Sequence, residues 1–104
     1  MKEKAGLVLL YTNSSDKQMK RIDFYTARYC GTCRGVKRRL KQLSADFSGV
    51  DINYFDIDVN KREFKKNDVD GVPTLIYYID DSEVRRMTGS LSEEDLLKLI
   101  EEGE

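Results

Sequence analysis

The central part of the chain alternates a strand, a helix and a second strand. Residues 21–26 include a β-branched and aromatic run that is typical of a buried strand. From Cys33 onward, apolar side chains recur at steps of three and four residues as far as Phe47, which predicts one face of a helix that ends at residues 48–49. Residues 50–57 are again strand-like. Because a strand, helix, strand order provides a crossover, it predicts a parallel pair of strands.

A further strand is predicted near the start of the chain. Residues 7–11 form a short, continuously apolar run, and the polar residues 12–16 close it. The stretch between this run and Arg21 holds at most a turn or two of helix. The run is far shorter than the ~20 apolar residues of a spanning helix, and it lacks the length and the small-residue cleavage site of a secretory signal. We therefore predict a cytoplasmic protein without a membrane-spanning segment.

The second half of the chain predicts a short helix, a hairpin and a closing helix. Residues 60–67 are charged and read as a short helix. Residues 74–79 and 84–88 are strand-like and lie close enough in sequence to pair as an antiparallel hairpin. Ser92, followed by three acidic residues, is typical of an N-cap that opens a last helix.

Composition is consistent with one compact domain. The chain has 104 residues, of which 39% are hydrophobic and 36% charged, so a core can be buried beneath a charged shell. Eighteen basic and nineteen acidic side chains give a formal charge of -1, which provides no overall attraction to nucleic acid or to an anionic membrane. We predict a single domain over residues 1–104, an α/β fold with a central mixed sheet of about five strands flanked by helices, and a monomer.

Both cysteines of the chain lie where a strand leads into a helix, in the motif Cys30-Gly31-Thr32-Cys33. Their spacing in a first helical turn brings the Cβ atoms to about 5–6 Å, close enough to exchange between dithiol and disulfide. Cys30 lies at the helix N-terminus, where unpaired N–H groups and the helix dipole favour a thiolate, so we expect its pKa to lie below the usual ~8.5. Cys33 falls on the apolar side of the helix. We predict Cys30 as the nucleophile and Cys33 as the shielded, resolving thiol.

Two other roles are open for this cysteine pair. A structural zinc site needs four ligands, and because the chain has no His, two chains would have to pool their cysteines. A purely structural disulfide across four residues would contribute little chain-entropy stabilisation and is unusual in a cytosolic protein. Redox exchange needs no metal, flavin or nucleotide, so the residues predict no cofactor.

The order and spacing of several motifs resemble the thioredoxin family over nearly the whole chain. The cysteine motif is followed some forty residues later by Gly-Val-Pro-Thr, and a Thr-Gly pair precedes the last helix. The resemblance implies a thioredoxin fold, a cis bond before the proline, and an extended substrate segment that pairs with the backbone beside Cys30. The motifs are residues 24–33, 55–58, 71–75 and 88–89. The substrate-binding residues implied are Tyr29, Gly31, Thr32, Val72, Pro73 and Gly89.

The resemblance also implies the activity, which is reduction of protein disulfides. Cys30 attacks a target disulfide, a mixed disulfide forms at Cys30, and Cys33 resolves it. The implied partners are protein disulfide substrates and a recycling reductase such as thioredoxin reductase. Two alternatives stay open: a disulfide isomerase or oxidant of the same fold, and a non-catalytic interaction module. Thr32 bears on the first alternative, because thioredoxins typically carry Pro there.

Four further positions depart from the family pattern. The chain has no Trp, so the family's two active-site tryptophans are replaced. Phe24 and Tyr54 stand where the family has a buried acid and its Lys partner. Asp23 is one residue away and is predicted to face the other side of its strand. We therefore expect the resolving thiol to lack a dedicated proton acceptor close by.

A basic stripe follows the cysteines along the predicted helix. Such a stripe is often no more than a solvated face. It could also favour the Cys30 thiolate through Arg34, four residues away, and steer acidic partner surfaces toward the site. The stripe consists of Arg34, Lys37, Arg38 and Lys41, with Arg28 just before it.

Overall fold

The computed structural model describes residues 18–101. The strand predicted at residues 7–11 therefore lies outside the described residues. Within the described range, no helix is both long enough and apolar enough to span a membrane. The elements follow one another as β1 (Lys20–Thr26), α1 (Gly31–Gln42), β2 (Val50–Asp56), α2 (Lys61–Lys66), β3 (Thr74–Ile79), β4 (Ser82–Thr88) and α3 (Glu93–Leu99).

The four strands of the described range form one mixed sheet in the order β2-β1-β3-β4. β1 and β2 run parallel, and Phe24 lies opposite Tyr54 in their register. β3 runs antiparallel to β1 and to β4. The hairpin between β3 and β4 turns at Asp80 and Asp81, with φ values of 51° and 69°, a conformation that Asp tolerates because its short side chain can bond to the local backbone. The predicted parallel pair and the predicted hairpin are both confirmed.

The sheet buries apolar side chains on both faces, because successive strand residues point to opposite sides. Ile22 and Phe24 of β1 belong to one cluster, whereas Tyr25 of the same strand belongs to the other. The α1-side cluster consists of Ile22, Phe24, Cys33, Val36, Leu40, Phe47, Leu75, Tyr77, Leu91, Leu96 and Leu99. The α2-side cluster consists of Tyr25, Phe64, Val69, Ile76 and Tyr78.

Helix α1 is shorter than its apolar periodicity predicts. It ends at Gln42, with Leu43 as its C-cap, so the prediction of an end at residues 48–49 is wrong. The chain continues through turns in which the N–H of Phe47 donates to the carbonyl of Leu43 at 3.2 Å. Phe47 stays buried, because one such turn returns its side chain to the core side, on which the buried residues of α1 also lie. Periodicity records which side a residue faces, and a turn of this kind preserves that side after the helix has ended.

The N-terminus of α3 carries a reciprocal cap. The Ser92 hydroxyl accepts a hydrogen bond from the N–H of Asp95 at 3.1 Å, and the Asp95 carboxylate accepts one from the N–H of Ser92 at 3.0 Å. These bonds to Ser92 lower the pKa of Asp95. The predicted N-cap is confirmed, and it fixes the start of the helix that buries Leu96 and Leu99 in the α1-side cluster.

The two neighbouring leucines of α3 provide a matched test of this packing. Leu96 is 0% exposed and Leu97 is 39% exposed. We expect Leu96→Ala to lower the free energy of unfolding by about 2–5 kcal/mol, because it removes buried methyl groups and leaves a cavity. Leu97→Ala, the control on the same helix, should cost less than about 1 kcal/mol. Urea unfolding of the oxidised protein measures both, and equal losses would contradict the packing of α3 described here.

Candidate active site

Cys30 and Cys33 are joined by a disulfide across the first turn of α1, with their Cα atoms 5.2 Å apart. Cys30 is the N-cap and Gly31 the first helical residue, so Cys30 lies one position before the helix proper. Its Sγ accepts a hydrogen bond from the backbone N–H of Cys33 at 3.0 Å. The sulfur thus occupies the place of a capping oxygen, where the N–H groups of a helix stabilise negative charge.

The two sulfurs differ in exposure. Cys33 is 2% exposed and belongs to the α1-side cluster, where Phe24 and Val36 also lie. Cys30 is half-buried and packs against the edge of that cluster. A reagent in solution therefore reaches the Cys30 sulfur more easily than the Cys33 sulfur.

Three of the predicted substrate-binding residues surround Cys30 in the chain. Tyr29 is 73% exposed, which is unusual for a residue with a large aromatic ring. Gly31 and Thr32 are exposed on the first turn of α1. These residues form the solvent-facing rim of the disulfide.

The other three predicted substrate-binding residues lie at the start and the end of the β3–β4 hairpin. The Val72–Pro73 peptide bond is cis. The N–H of Gly89 donates to the carbonyl of Pro73 at 3.0 Å, and Gly89 has a φ of 96°, which favours glycine. Val72 packs against the α1-side cluster, as Cys30 does. The structure thus brings Val72, Pro73 and Gly89 together, with Val72 on the same cluster as Cys30.

A cleft of about 420 Å³ opens beside the buried sulfur, between α1 and the end of β2. Cys33, Lys37 and Tyr54 line it, together with Asp56, which ends β2. The Asp56 carboxylate lies 3.8 Å from the Arg28 guanidinium and accepts a hydrogen bond from the N–H of Asp58. The cleft was not predicted from the sequence. Its residue Asp56 could have been identified, because it ends the strand that is predicted to pair with the strand leading to Cys30. Among residues 18–101, no group of three or more His, Cys, Asp or Glu side chains could hold a metal ion.

Comparison of the chain with known proteins identifies its family. The family model named Thioredoxin matches residues 11–102. The chain belongs to the thioredoxin family. It is 38% identical over 79 residues to a thioredoxin of Chlamydia trachomatis, covering 76% of each chain. It is 33% identical over 81 residues to a thioredoxin of Staphylococcus aureus, covering 77% of each chain.

Solved structures give the same fold. A mutant thioredoxin from Halobacterium salinarum superposes with a TM-score of 0.72 at 26% identity, over 86% of this chain and 78% of that one. The thioredoxin of Fasciola hepatica superposes with a TM-score of 0.74 at 24% identity, over 95% of this chain and 94% of that one. The predicted α/β thioredoxin fold is confirmed. Family membership together with the Cys30/Cys33 pair supports a thiol–disulfide oxidoreductase.

An aromatic pair occupies the positions where thioredoxins carry a buried acid and a lysine. The rings of Phe24 and Tyr54 lie 5.4 Å apart, centroid to centroid, across the β1–β2 pair. The Lys37 ammonium from α1 lies 4.7 Å from the centre of the Tyr54 ring, a cation–π contact. Burial raises the pKa of Tyr54. The sequence alone predicted the two replacements but not the contact between Lys37 and Tyr54. Lys37 follows Cys33 by four residues, which puts these two residues on one side of the helix.

Asp23 does not replace the missing acid. Its carboxylate accepts hydrogen bonds from Arg21 Nε and Asn53 Nδ2, both at 3.3 Å. It raises the pKa values of Tyr25 and Tyr78, secondary to their burial, and both tyrosines belong to the α2-side cluster. Asp23 thus faces away from Cys33, as predicted from the strand register.

The difference in exposure between the cysteines predicts their alkylation order. In the reduced protein near pH 7, iodoacetamide should modify Cys30 about tenfold faster than Cys33 or more, because Cys30 is more exposed and its sulfur is held at a helix N-terminus. Mass spectrometry at each cysteine measures the two rates. Urea-unfolded protein is the control, in which the two rates should converge. Faster modification of Cys33 in the folded protein would reverse the assigned roles.

The Phe24–Tyr54 contact predicts a coupled pair of substitutions. Phe24→Asp buries an unpaired carboxylate and should lower the free energy of unfolding by about 3–5 kcal/mol. Tyr54→Lys alone should cost about 1 kcal/mol, since Tyr54 is 43% exposed. The double variant should regain part of the loss, because the two side chains touch and their charges can pair. Urea unfolding of all four proteins gives the coupling, and strictly additive losses would contradict it.

Proposed function

We propose that this chain reduces protein disulfides through its Cys30/Cys33 dithiol. The observation that carries the proposal is the contrast between the two sulfurs. Cys30 is half-buried, and its sulfur accepts a hydrogen bond from a helix N–H, whereas Cys33 lies in the core one turn later. This contrast supports Cys30 as the attacking thiol and Cys33 as the resolving thiol.

The reaction is two successive thiol–disulfide exchanges. The Cys30 thiolate attacks one sulfur of the target disulfide, that S–S bond breaks, and the other target sulfur leaves as a thiolate. The Cys33 thiolate then attacks the Cys30 sulfur of the mixed disulfide and releases the second target sulfur. Two electrons pass from the dithiol, which ends as a disulfide, to the target, which ends as two thiols after taking up two protons.

Two groups of residues around the disulfide bind the substrate. Tyr29, Gly31 and Thr32 offer an exposed rim, and an extended segment of the target pairs with the backbone at Val72. The position of Val72 on the cluster that also contacts Cys30 supports this assignment. Pro73 and Gly89 complete the surface.

Several further properties belong to the same proposal. The whole chain, residues 1–104, acts as a single domain and as a monomer in the cytoplasm. A reductase such as thioredoxin reductase returns electrons to the Cys30/Cys33 disulfide, and the chain itself holds no cofactor. It binds protein disulfides and neither nucleic acid nor membranes.

Thr32 favours one second candidate within the same class. It stands between the cysteines where thioredoxins typically carry Pro, and a less reducing pair would act as an isomerase or an oxidant. Equilibration of the pair against glutathione decides between these directions, because the midpoint fixes which way electrons flow. A midpoint at the strongly reducing end supports the reductase.

Two cysteine variants test the mechanism in an insulin reduction assay with dithiothreitol as electron source. The wild-type chain should accelerate insulin reduction, and Cys30→Ser should abolish the acceleration. Reduced Cys33→Ser, freed of dithiothreitol and then mixed with insulin, should accumulate a mixed disulfide with the target through Cys30, visible by mass spectrometry. A wild-type chain with no effect on insulin would instead favour a non-catalytic interaction module.

A further inference from the structure

Helix α1 presents an exposed basic face. Four cationic residues, at positions 34, 37, 38 and 41, lie three or four residues apart in pairs, so they line one side of the helix beside the disulfide. Within residues 18–101, no carboxylate forms an ion pair with any of them. The helix contains no acidic residue at all. We call Arg34, Lys37, Arg38 and Lys41 the basic face of α1.

Helix stability does not explain this concentration of charge. Like charges at these spacings repel one another and destabilise a helix. Arg34 also lies near the N-terminus of α1, the end at which the helix dipole disfavours a cation. Lys41 alone of the four lies in the last turn, where a cation is favourable. A partner of opposite charge would remove the repulsion.

The basic face is continuous with the disulfide. Arg34 Nη1 donates to the carbonyl of Arg28 at 3.0 Å, which ties it to the loop before Cys30. Arg34 and Lys37 line the cleft beside Cys33, and they also line a second groove of about 320 Å³ together with Arg38 and Lys41. The distance along α1 from the cysteines to Lys41 is about 16 Å, the length of roughly five residues of extended peptide.

We propose that the basic face of α1 docks an acidic segment of the disulfide-bearing partner, with Asp or Glu within about five residues of the target cysteine. The inference rests on the proposed function, since it names the substrate class of the same dithiol. Charge complementarity identifies the occupant, because the four cations of the basic face extend along α1 from the turn that carries the disulfide and have no carboxylate partner among the described residues. A formal charge of -1 for the whole chain favours a local acidic segment over a long polyanion such as nucleic acid.

Three matched peptides test the preference. Each carries one disulfide followed by a stretch rich in Glu, Ser or Lys, and the reduced protein is mixed with each in turn. At about 0.01 M salt, the Glu peptide should be reduced roughly tenfold faster than the Ser peptide, and the Lys peptide more slowly. At about 1 M salt the three rates should converge, because the screening length falls to about 3 Å. If all three peptides are reduced, equal rates at low salt would contradict the expected preference.

A pair of double variants locates the effect. Arg38→Glu with Lys41→Glu changes the two members of the basic face farthest from the disulfide, and should abolish or reverse the preference for the Glu peptide. Lys65→Glu with Lys66→Glu is the matched control, since it changes the net charge equally on α2, which packs on the other face of the sheet. The control should keep the preference. The milder Arg38→Gln with Lys41→Gln should reduce it, and a loss of rate on all three peptides alike would overturn the docking.

A binding measurement separates this proposal from the proposed function. Fluorescence anisotropy with a Glu peptide that has no cysteine reports docking without any redox step. Tighter binding by the wild-type chain than by Arg38→Glu/Lys41→Glu supports docking even if no peptide is reduced, in which case the reductase proposal fails alone. Reduction of all peptides with no charge preference and no such binding overturns docking alone. Tighter binding of a single-stranded DNA oligonucleotide of equal charge also overturns it.

Discussion

The junction between β1 and α1 controls the chemistry of this molecule. β1 lies between β2 and β3, and its parallel pairing with β2 requires α1 as the crossover. The chain therefore leaves the sheet at Thr26 and begins a helix five residues later, with Cys30 as its N-cap. The backbone N–H of Cys33 donates to the Cys30 sulfur, and the first turn of α1 carries the Cys33 side chain into the α1-side cluster. One connection thus sets both the helix-cap position of one sulfur and the burial of the other.

The aromatic pair changes the environment behind the buried sulfur. Phe24 and Tyr54 replace an acid and a lysine with two rings in contact, so this side of Cys33 is apolar. Asp23 is directed to the opposite face of the sheet by the strict alternation of a strand. The polar groups near Cys33 lie instead in the cleft, where Lys37 contacts Tyr54 and Asp56 faces Arg28. The cleft is therefore where polar side chains lie closest to the buried sulfur.

The same helix joins the two parts of the proposed function. Its N-terminus supports exchange at Cys30, and its basic face extends from Arg34 to Lys41 along the cleft and groove beside the disulfide. A target that presents carboxylates close to its disulfide would meet complementary charge as its sulfur approaches Cys30. Val36 and Leu40 anchor α1 in the core, and the helix geometry sets the spacing between the basic face and the disulfide.

Local patterns in the sequence were enough for the order of elements from residue 20 onward, the parallel pair, the Ser92 cap and the placement of Cys33 on the apolar side of its helix. These features depend on residues a few positions apart, which periodicity and spacing record directly. The end of α1 at Gln42 escaped them, because Phe47 keeps its side through a turn. The contact of Phe24 with Tyr54 and the cleft beside Cys33 depend on residues far apart in the chain. Only the tertiary structure decides such contacts, since it alone sets the register and the packing that bring distant side chains together.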